Sequence, residues 1–165
     1  MFKKILLASA IMATSSTITL AATPYVGASL GVTNLSILAG KAHAGEIAKL
    51  FGGYGSTFGE NNNIYLGGEL NFDVTHYSSY YRYSTTHYGL GASFIPGIML
   101  TKYTMIYGRI GLLVDHSNYS HHNYLGDQLG FGLQTSVAKN WDVRGEYIHT
   151  SNSNQLNLGL LYKFD

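Results

Sequence analysis

The chain has 165 residues and a net charge of +1, with 12 % charged residues, 20 glycines, 14 tyrosines, two prolines and no cysteine. Near-neutral charge without a basic cluster argues against a nucleic-acid partner, and the absence of cysteine excludes disulfides and thiolate metal sites. A soluble domain usually carries about 25 % charged residues, so much of this surface is expected to face something other than water.

Lys3 and Lys4 precede an apolar run from Ile5 to Ala13, a Ser/Thr-rich stretch and Leu20-Ala21-Ala22. A positive start, an apolar core too short to span a bilayer and small residues at the exit predict a secretory signal peptide over 1–22. Residues 23–165 then form one domain. Beyond the signal no apolar run is long enough for a transmembrane helix.

Period-two alternation predicts extended segments through the rest of the chain. After Tyr25 to Asn34 and Ala48 to Gly59 comes the clearest one, "IYLGGELNFDVT". There Ile64, Leu66, Leu70, Phe72 and Val74 share one face, and Tyr65, Glu69, Asn71, Asp73 and Thr75 share the other. In "YGLGASFIPGIML", Tyr88, Leu90, Ala92, Phe94, Ile98 and Leu100 oppose His87, Gly89, Gly91, Ser93 and Gly97. Ile106, Ile110, Leu112 and Val114 oppose Tyr107, Arg109, Gly111 and Asp115. Leu125 to Ala138 and Trp141 to Thr150 follow, and "NQLNLGLLYKFD" closes the chain with Leu156, Leu158, Leu160, Tyr162 and Phe164 on one face.

Eight such segments suit the smallest bacterial outer-membrane barrels. Glu60 to Asn63, Thr101 to Thr104 and Lys139-Asn140 read as tight turns after the second, fourth and sixth strands, with longer polar connectors after the first, third and fifth. Short turns at one end and longer loops at the other predict an all-β fold: a transmembrane up-and-down antiparallel β-barrel of eight strands. Lipid offers a backbone no hydrogen bonds, so a sheet crosses it only when closed, with apolar residues outward and polar residues inward.

A lumen this narrow is filled by side chains. Glu69, Arg109, Arg144, Glu146 and Lys163 fall on inward faces and are expected to form ion pairs that plug it and prevent conduction. Trp141, Tyr103, Tyr162 and Phe164 are expected at the periplasmic rim as an aromatic girdle. The run "HYSSYYRYSTTHY" is expected at the opposite end, as outer girdle and solvated loop tip, with a sticky contact surface as the alternative.

Asn157, Gly159, Tyr162 and Phe164 match the insertion signal of outer-membrane barrels: a polar residue, a glycine two on, and aromatics three and five beyond it. With "GGYGS" at 52–56, "YLGGELNFD" at 65–73 and "RGEYIHT" at 144–150, the chain resembles the opacity-protein and OmpA-like barrel domains over nearly all of residues 23–165. Asp165 departs from that pattern, since the family usually ends on the aromatic. The resemblance implies an integral outer-membrane location, contact with outer-membrane lipid and lipopolysaccharide, insertion by the barrel assembly machinery, and loops that meet a host or cell-surface ligand. It implies no cofactor. The fold hosts adhesins, structural barrels and a few enzymes.

"HTSN" at 149–152 is the enzyme-like element. It resembles the His-x-Ser-Asn element of lipid A deacylases, which implies Ser151 as nucleophile and His149 as base on a lipid ester. The glutamate that such enzymes carry downstream has no counterpart here, because Asp165 alone follows and sits at the wrong end of the last strand. His43, His76, His87, His116, His121 and His122 fall in or beside predicted loops, without the carboxylates or regular spacing of a metal site. The expected role is structural or surface-interactive, as an adhesin-like surface antigen of the cell envelope, with a Ser151/His149 esterase as the alternative.

Overall fold

The computed structural model describes residues 22–35, 43–59, 61–78, 84–117, 123–151 and 153–164. The signal segment up to residue 21, the tip of the tyrosine-rich run at 79–83, His121, His122, Asn152 and Asp165 lie outside the described residues.

The alternating segments become eight antiparallel strands: β1 (Thr23–Leu35), β2 (His43–Phe58), β3 (Ile64–Ser78), β4 (Ser84–Met99), β5 (Thr104–Ser117), β6 (Asn123–Ala138), β7 (Trp141–Thr150) and β8 (Ser153–Lys163). Each pairs with its sequence neighbours, and β8 pairs with β1, so the sheet closes into a barrel and leaves no edge. Closure lets every strand satisfy its backbone donors and acceptors on both sides.

The two faces separate as the alternation predicts. Outward positions carry Leu30, Leu50, Leu70, Leu90, Ile110, Leu125, Phe131 and Leu158, all exposed. Inward positions carry Lys49, Glu69, Asn71, Asp73, Arg109, Arg144, Glu146 and Asn157, all buried. That is the inversion of a soluble core, and it is stable where lipid bathes the outer wall. Small apolar clusters inside, Tyr25 with Phe51 and Leu161, and Ile95 with Met105 and Tyr107, wedge the lumen toward the short-turn end.

The strands run further than alternation alone suggested. β2 begins at His43 rather than Ala48, and most of "HYSSYYRYSTTHY" is paired strand, with Tyr77 opposite Thr85 and Ser78 opposite Ser84. His43, His76, His87 and His116 accordingly lie in the outer strand ends, beside the long connectors. Spanning lipid takes about 9–11 residues, whereas β2, β4 and β6 have 16 each. The excess projects beyond the membrane, where outward residues need not be apolar and the period-two signal fades although the backbone pairing continues.

Pairing around the wall is staggered. From Tyr25 the register passes through Gly53, Glu69, Ser93, Gly111, Gln128, Thr150 and Ser153, and returns to β1 at Leu35, ten residues further along. This shear tilts every strand and decides which inward residues share a level of the lumen.

Tight turns are built from local chemistry. Between β2 and β3, Gly59 takes φ 90° and Asn62 φ 50°, and the Asn62 amide donates to the Gly59 carbonyl at 3.1 Å. Inside, Gly27 is required by close approach: a Cβ there would stand 2.5 Å from Phe51 Cζ and 2.7 Å from the Leu160 carbonyl oxygen. Gly27→Leu should therefore lower unfolding stability in urea by about 1–3 kcal/mol. Ala28→Leu, the next residue and on the lipid face, should leave it unchanged. Equal stability of the two variants would contradict the packing described.

Candidate functional site

Two places concentrate chemistry. The first is a charge cluster across the lumen, built from β3, β5 and β7, whose odd- or even-numbered inward positions the shear brings to one level. Glu69 accepts from Arg109 Nη2, from Arg144 Nη1 at 2.5 Å and from the Tyr25 hydroxyl at 2.9 Å. Arg109 Nε donates to Glu146 Oε1 at 2.7 Å and its Nη1 to Ser93 Oγ at 3.0 Å. The Tyr107 hydroxyl donates to the same Glu146 oxygen at 3.0 Å.

Arg144 is held on every side. Its Nε and Nη2 donate to Gln134 Oε1 at 3.1 and 2.9 Å. Its guanidinium carbon lies 4.8 Å from the Phe51 ring centroid, 5.1 Å from Tyr107 and 5.5 Å from Tyr25. Two guanidinium groups thus face two carboxylates, so the cluster is balanced in charge and each group has charge-assisted partners.

Lys163 does not join this cluster. It lies nearer the short turns and pairs with Asp142 Oδ1 at 2.9 Å, while Gln134 and Ser136 also donate to that carboxylate, each at 2.7 Å. Asp142 was not singled out from the sequence, nor was Lys49, whose Nζ stands 3.6 Å from Asp73 Oδ2 on the long-connector side of the cluster. The available signal was alternation: Lys49 sits between exposed Ala48 and Leu50, which turns it inward.

The remaining sequence-selected residues take the faces their positions imply. Asn157 and Gly159 point inward and are buried; Tyr162 and Phe164 point outward at the short-turn end. There Trp141, Tyr162 and Phe164 form a chain of edge-on contacts, with ring centroids 5.1 Å apart at each step. Tyr103 lies exposed beside the β4–β5 turn, with Lys102 Nζ 4.8 Å above its ring. Among the described residues no group of three or more His, Asp or Glu side chains could hold a metal ion.

The second place is on the outer wall at the long-connector end, where β7 turns into β8. His149 and Ser151 both face outward and are exposed. His149 Nδ1 meets Asn154 Oδ1 at 2.7 Å, and the Tyr147 hydroxyl donates to that same oxygen at 2.9 Å. An amide oxygen only accepts, so the contact is made by Nδ1–H of His149 and leaves Nε2 outside it.

Ser151 Oγ donates to Asp127 Oδ1. The acidic neighbour therefore comes from β6, upstream, and not from the segment after Ser151 where the sequence offered only Asp165. Leu129 pairs with His149 across β6 and β7, so Asp127 arrives beside Ser151 through sheet register, which linear spacing does not display. In this arrangement the serine hydroxyl is committed to Asp127 rather than to the imidazole.

A family model for the outer membrane protein beta-barrel domain matches residues 5–164. No curated protein sequence matches the chain. Among solved structures it is similar to Neisserial surface protein A, at TM-score 0.58 and 21 % identity, covering 87 % of this chain and 99 % of that one. It is similar to Ail, the attachment invasion locus protein of Yersinia pestis, in complex with the heparin analogue sucrose octasulfate, at TM-score 0.55 and 15 % identity, covering 87 % and 97 %. It is also similar to the outer membrane enzyme PagL, at TM-score 0.58 and 14 % identity, covering 84 % and 98 %. At these identities the likeness is one of fold.

Arg144→Ala would leave Glu69 with one of its two arginines and open a void among three rings. The expected loss is about 3–5 kcal/mol of unfolding stability, read by fluorescence of the single tryptophan, Trp141, in urea. Lys163→Ala, at a side chain 28 % exposed, should cost clearly less. An Arg144→Ala barrel as stable as the parent would mean that the cluster does not hold the lumen together.

Proposed function

Since the chain belongs to the outer membrane protein beta-barrel domain family and is an integral protein of the bacterial outer membrane, we propose that it is a non-conducting barrel with a structural and surface-interaction role. One observation carries the closed lumen: Arg109 and Arg144 span from β5 and β7 to Glu69 on β3, fully buried. An ion crossing that level has to separate pairs whose members have already lost their water, and each uncompensated charge there costs several kcal/mol. The lumen thus acts as a strut. Interaction falls to the outer ends of the strands, which extend past the lipid and carry tyrosine and histidine. That one structurally similar barrel was crystallised with a heparin analogue supports a surface-binding role of this adhesin-like kind. Lipid and lipopolysaccharide surround the wall, and the Asn157, Gly159, Tyr162 and Phe164 pattern fits recognition by the assembly machinery. Purified monomer in planar bilayers should show no stable single-channel conductance, and steady unitary currents would overturn the closed lumen.

A second reading rests on the outer-wall group. His149, oriented by Asn154 with Nε2 outside that contact, lies on one face with Ser151 and Asp127. A serine that turned from Asp127 to that nitrogen could attack an acyl ester of a lipid lying against the wall. Mass spectrometry of lipid A from cells with and without the protein separates the two roles. Under the structural role the acyl pattern is unchanged; an acyl chain lost with the parent protein and retained with Ser151→Ala would establish the esterase.

A further inference from the structure

We propose that an oblique groove on the lipid-facing wall seats one acyl chain of lipopolysaccharide, with the polar linkage of that chain meeting the His149 and Asn154 group. The groove measures about 860 Å³ and lies between two rows of outward side chains. Strand register defines both rows. The lower passes from Ile64 through Ile98, Ile106 and Leu133 to Gly145. The upper passes from Gly108 through Phe131 and Tyr147 to Leu156. Such rows cross tilted strands, so the groove climbs from the first residue of β3, beside a tight turn, toward the long-connector end of β8. Neighbouring strands lie about 4.8 Å apart, and the steps from β3 to β8 give a length of about 24 Å. That exceeds the roughly 15 Å depth of one leaflet's hydrocarbon, so a chain fits within the groove.

Glycine gives the groove its depth, and packing inside the protein does not require glycine there. A Cβ added at Gly145 would meet nothing within 4 Å, and one at Gly108 would meet Pro96 Cγ at 3.7 Å, an ordinary contact. Gly27, in the lumen, is the opposite case. Other outward positions on this wall carry Leu50, Leu70, Ile110 and Leu129. Glycine in a strand interior weakens the strand and marks places where a ligand approaches closely; with no neighbour pressing on Gly108 or Gly145, the ligand is the reason left. Phe131, 65 % exposed, stands against Tyr147 with ring centroids 5.5 Å apart, and the two rings form the upper bank. Glu146 also borders the groove, but its carboxylate turns inward to Arg109.

The two ends of the groove select the occupant. Along its length the surface is apolar and lies at hydrocarbon depth, where a polar ligand would be left without partners. At its outer end the Tyr147 ring lines the groove while the Tyr147 hydroxyl donates to Asn154 Oδ1, the oxygen that also takes the His149 Nδ1–H. Ser151 and Asp127 follow just beyond. An apolar strip that ends in hydrogen-bonding groups matches a chain joined to its head group by an ester or amide. That polar end faces the outer leaflet of the bacterial outer membrane, whose lipid is lipopolysaccharide. The seat depends on the membrane location alone and holds the chain whether or not Ser151 attacks it.

The test uses the whole barrel refolded in phosphatidylcholine nanodiscs, with lipid A added stepwise while NMR follows the leucine and isoleucine methyl groups. Lipid A should shift the Ile106 and Leu133 methyls saturably, at a single lipid per barrel, and leave Leu50, on β2 outside the groove, unmoved. Gly108→Leu and Gly145→Leu, whose added side chains occupy the groove, should each weaken binding about tenfold while unfolding in urea no earlier than the parent. The proposal is overturned if lipid A gives no saturable shift, if phosphatidylglycerol gives the same shifts at the same concentration, if Leu50 moves as far as Ile106, or if both folded variants bind like the parent.

Discussion

Closure of the sheet is the constraint on which everything else rests. In hydrocarbon an unpaired backbone amide costs several kcal/mol, and the pairing of β8 with β1 removes the last row of such groups. Closure fixes the inside and outside of the wall, and period-two geometry then assigns every residue to lipid or lumen. The apolar exterior that would cause aggregation in a soluble protein is here the solvent-facing surface, with lipid as the solvent.

Having closed, the barrel must fill a narrow interior with the residues that alternation leaves there. Glycine yields where a neighbour presses close, as Gly27 does to Phe51, and large polar groups fill the rest. In the arginine cluster Glu69, Arg109, Arg144 and Glu146 neutralise one another, and tyrosine hydroxyls donate to the two carboxylates. Further out the pattern changes. Lys49 Nζ is ion-paired with Asp73 Oδ2 at 3.6 Å, and Gln155 Oε1 and Gln128 Nε2 have no hydrogen-bond partner among the described residues. The same lumen is thus a strut at one level and a polar recess at another. The outer wall differs again, because beyond the lipid its polar residues, Asp127, His149, Ser151 and Asn154, are free to bond with one another.

Much of this was legible in the sequence. Leu66, Leu70 and Phe72 against Glu69, Asn71 and Asp73 state both faces of β3 without any structure, and the count of such segments gives the eight strands. The outer strand ends were not legible, because beyond the lipid His76, Thr85 and Thr86 have no apolar phase to keep while their backbones still pair. Lys49 and Asp142 were overlooked although their inward phase was readable, since a single charge between apolar neighbours looks like noise until its partner is known.

The amino-acid order by itself determined orientation: which side chains face lipid, which face the lumen, and where the chain turns. Those follow from local geometry, a two-residue period and the turn chemistry of Gly59 and Asn62. Tertiary structure alone decided company. Glu69 and Arg144 are 75 residues apart and meet at 2.5 Å, Lys163 bonds Asp142 instead of joining them, and Asp127 reaches Ser151 from an earlier strand. The first of these meetings depends on the ten-residue shear around the wall and the other two on the pairing register of neighbouring strands, and neither property is carried by a single strand in its own pattern.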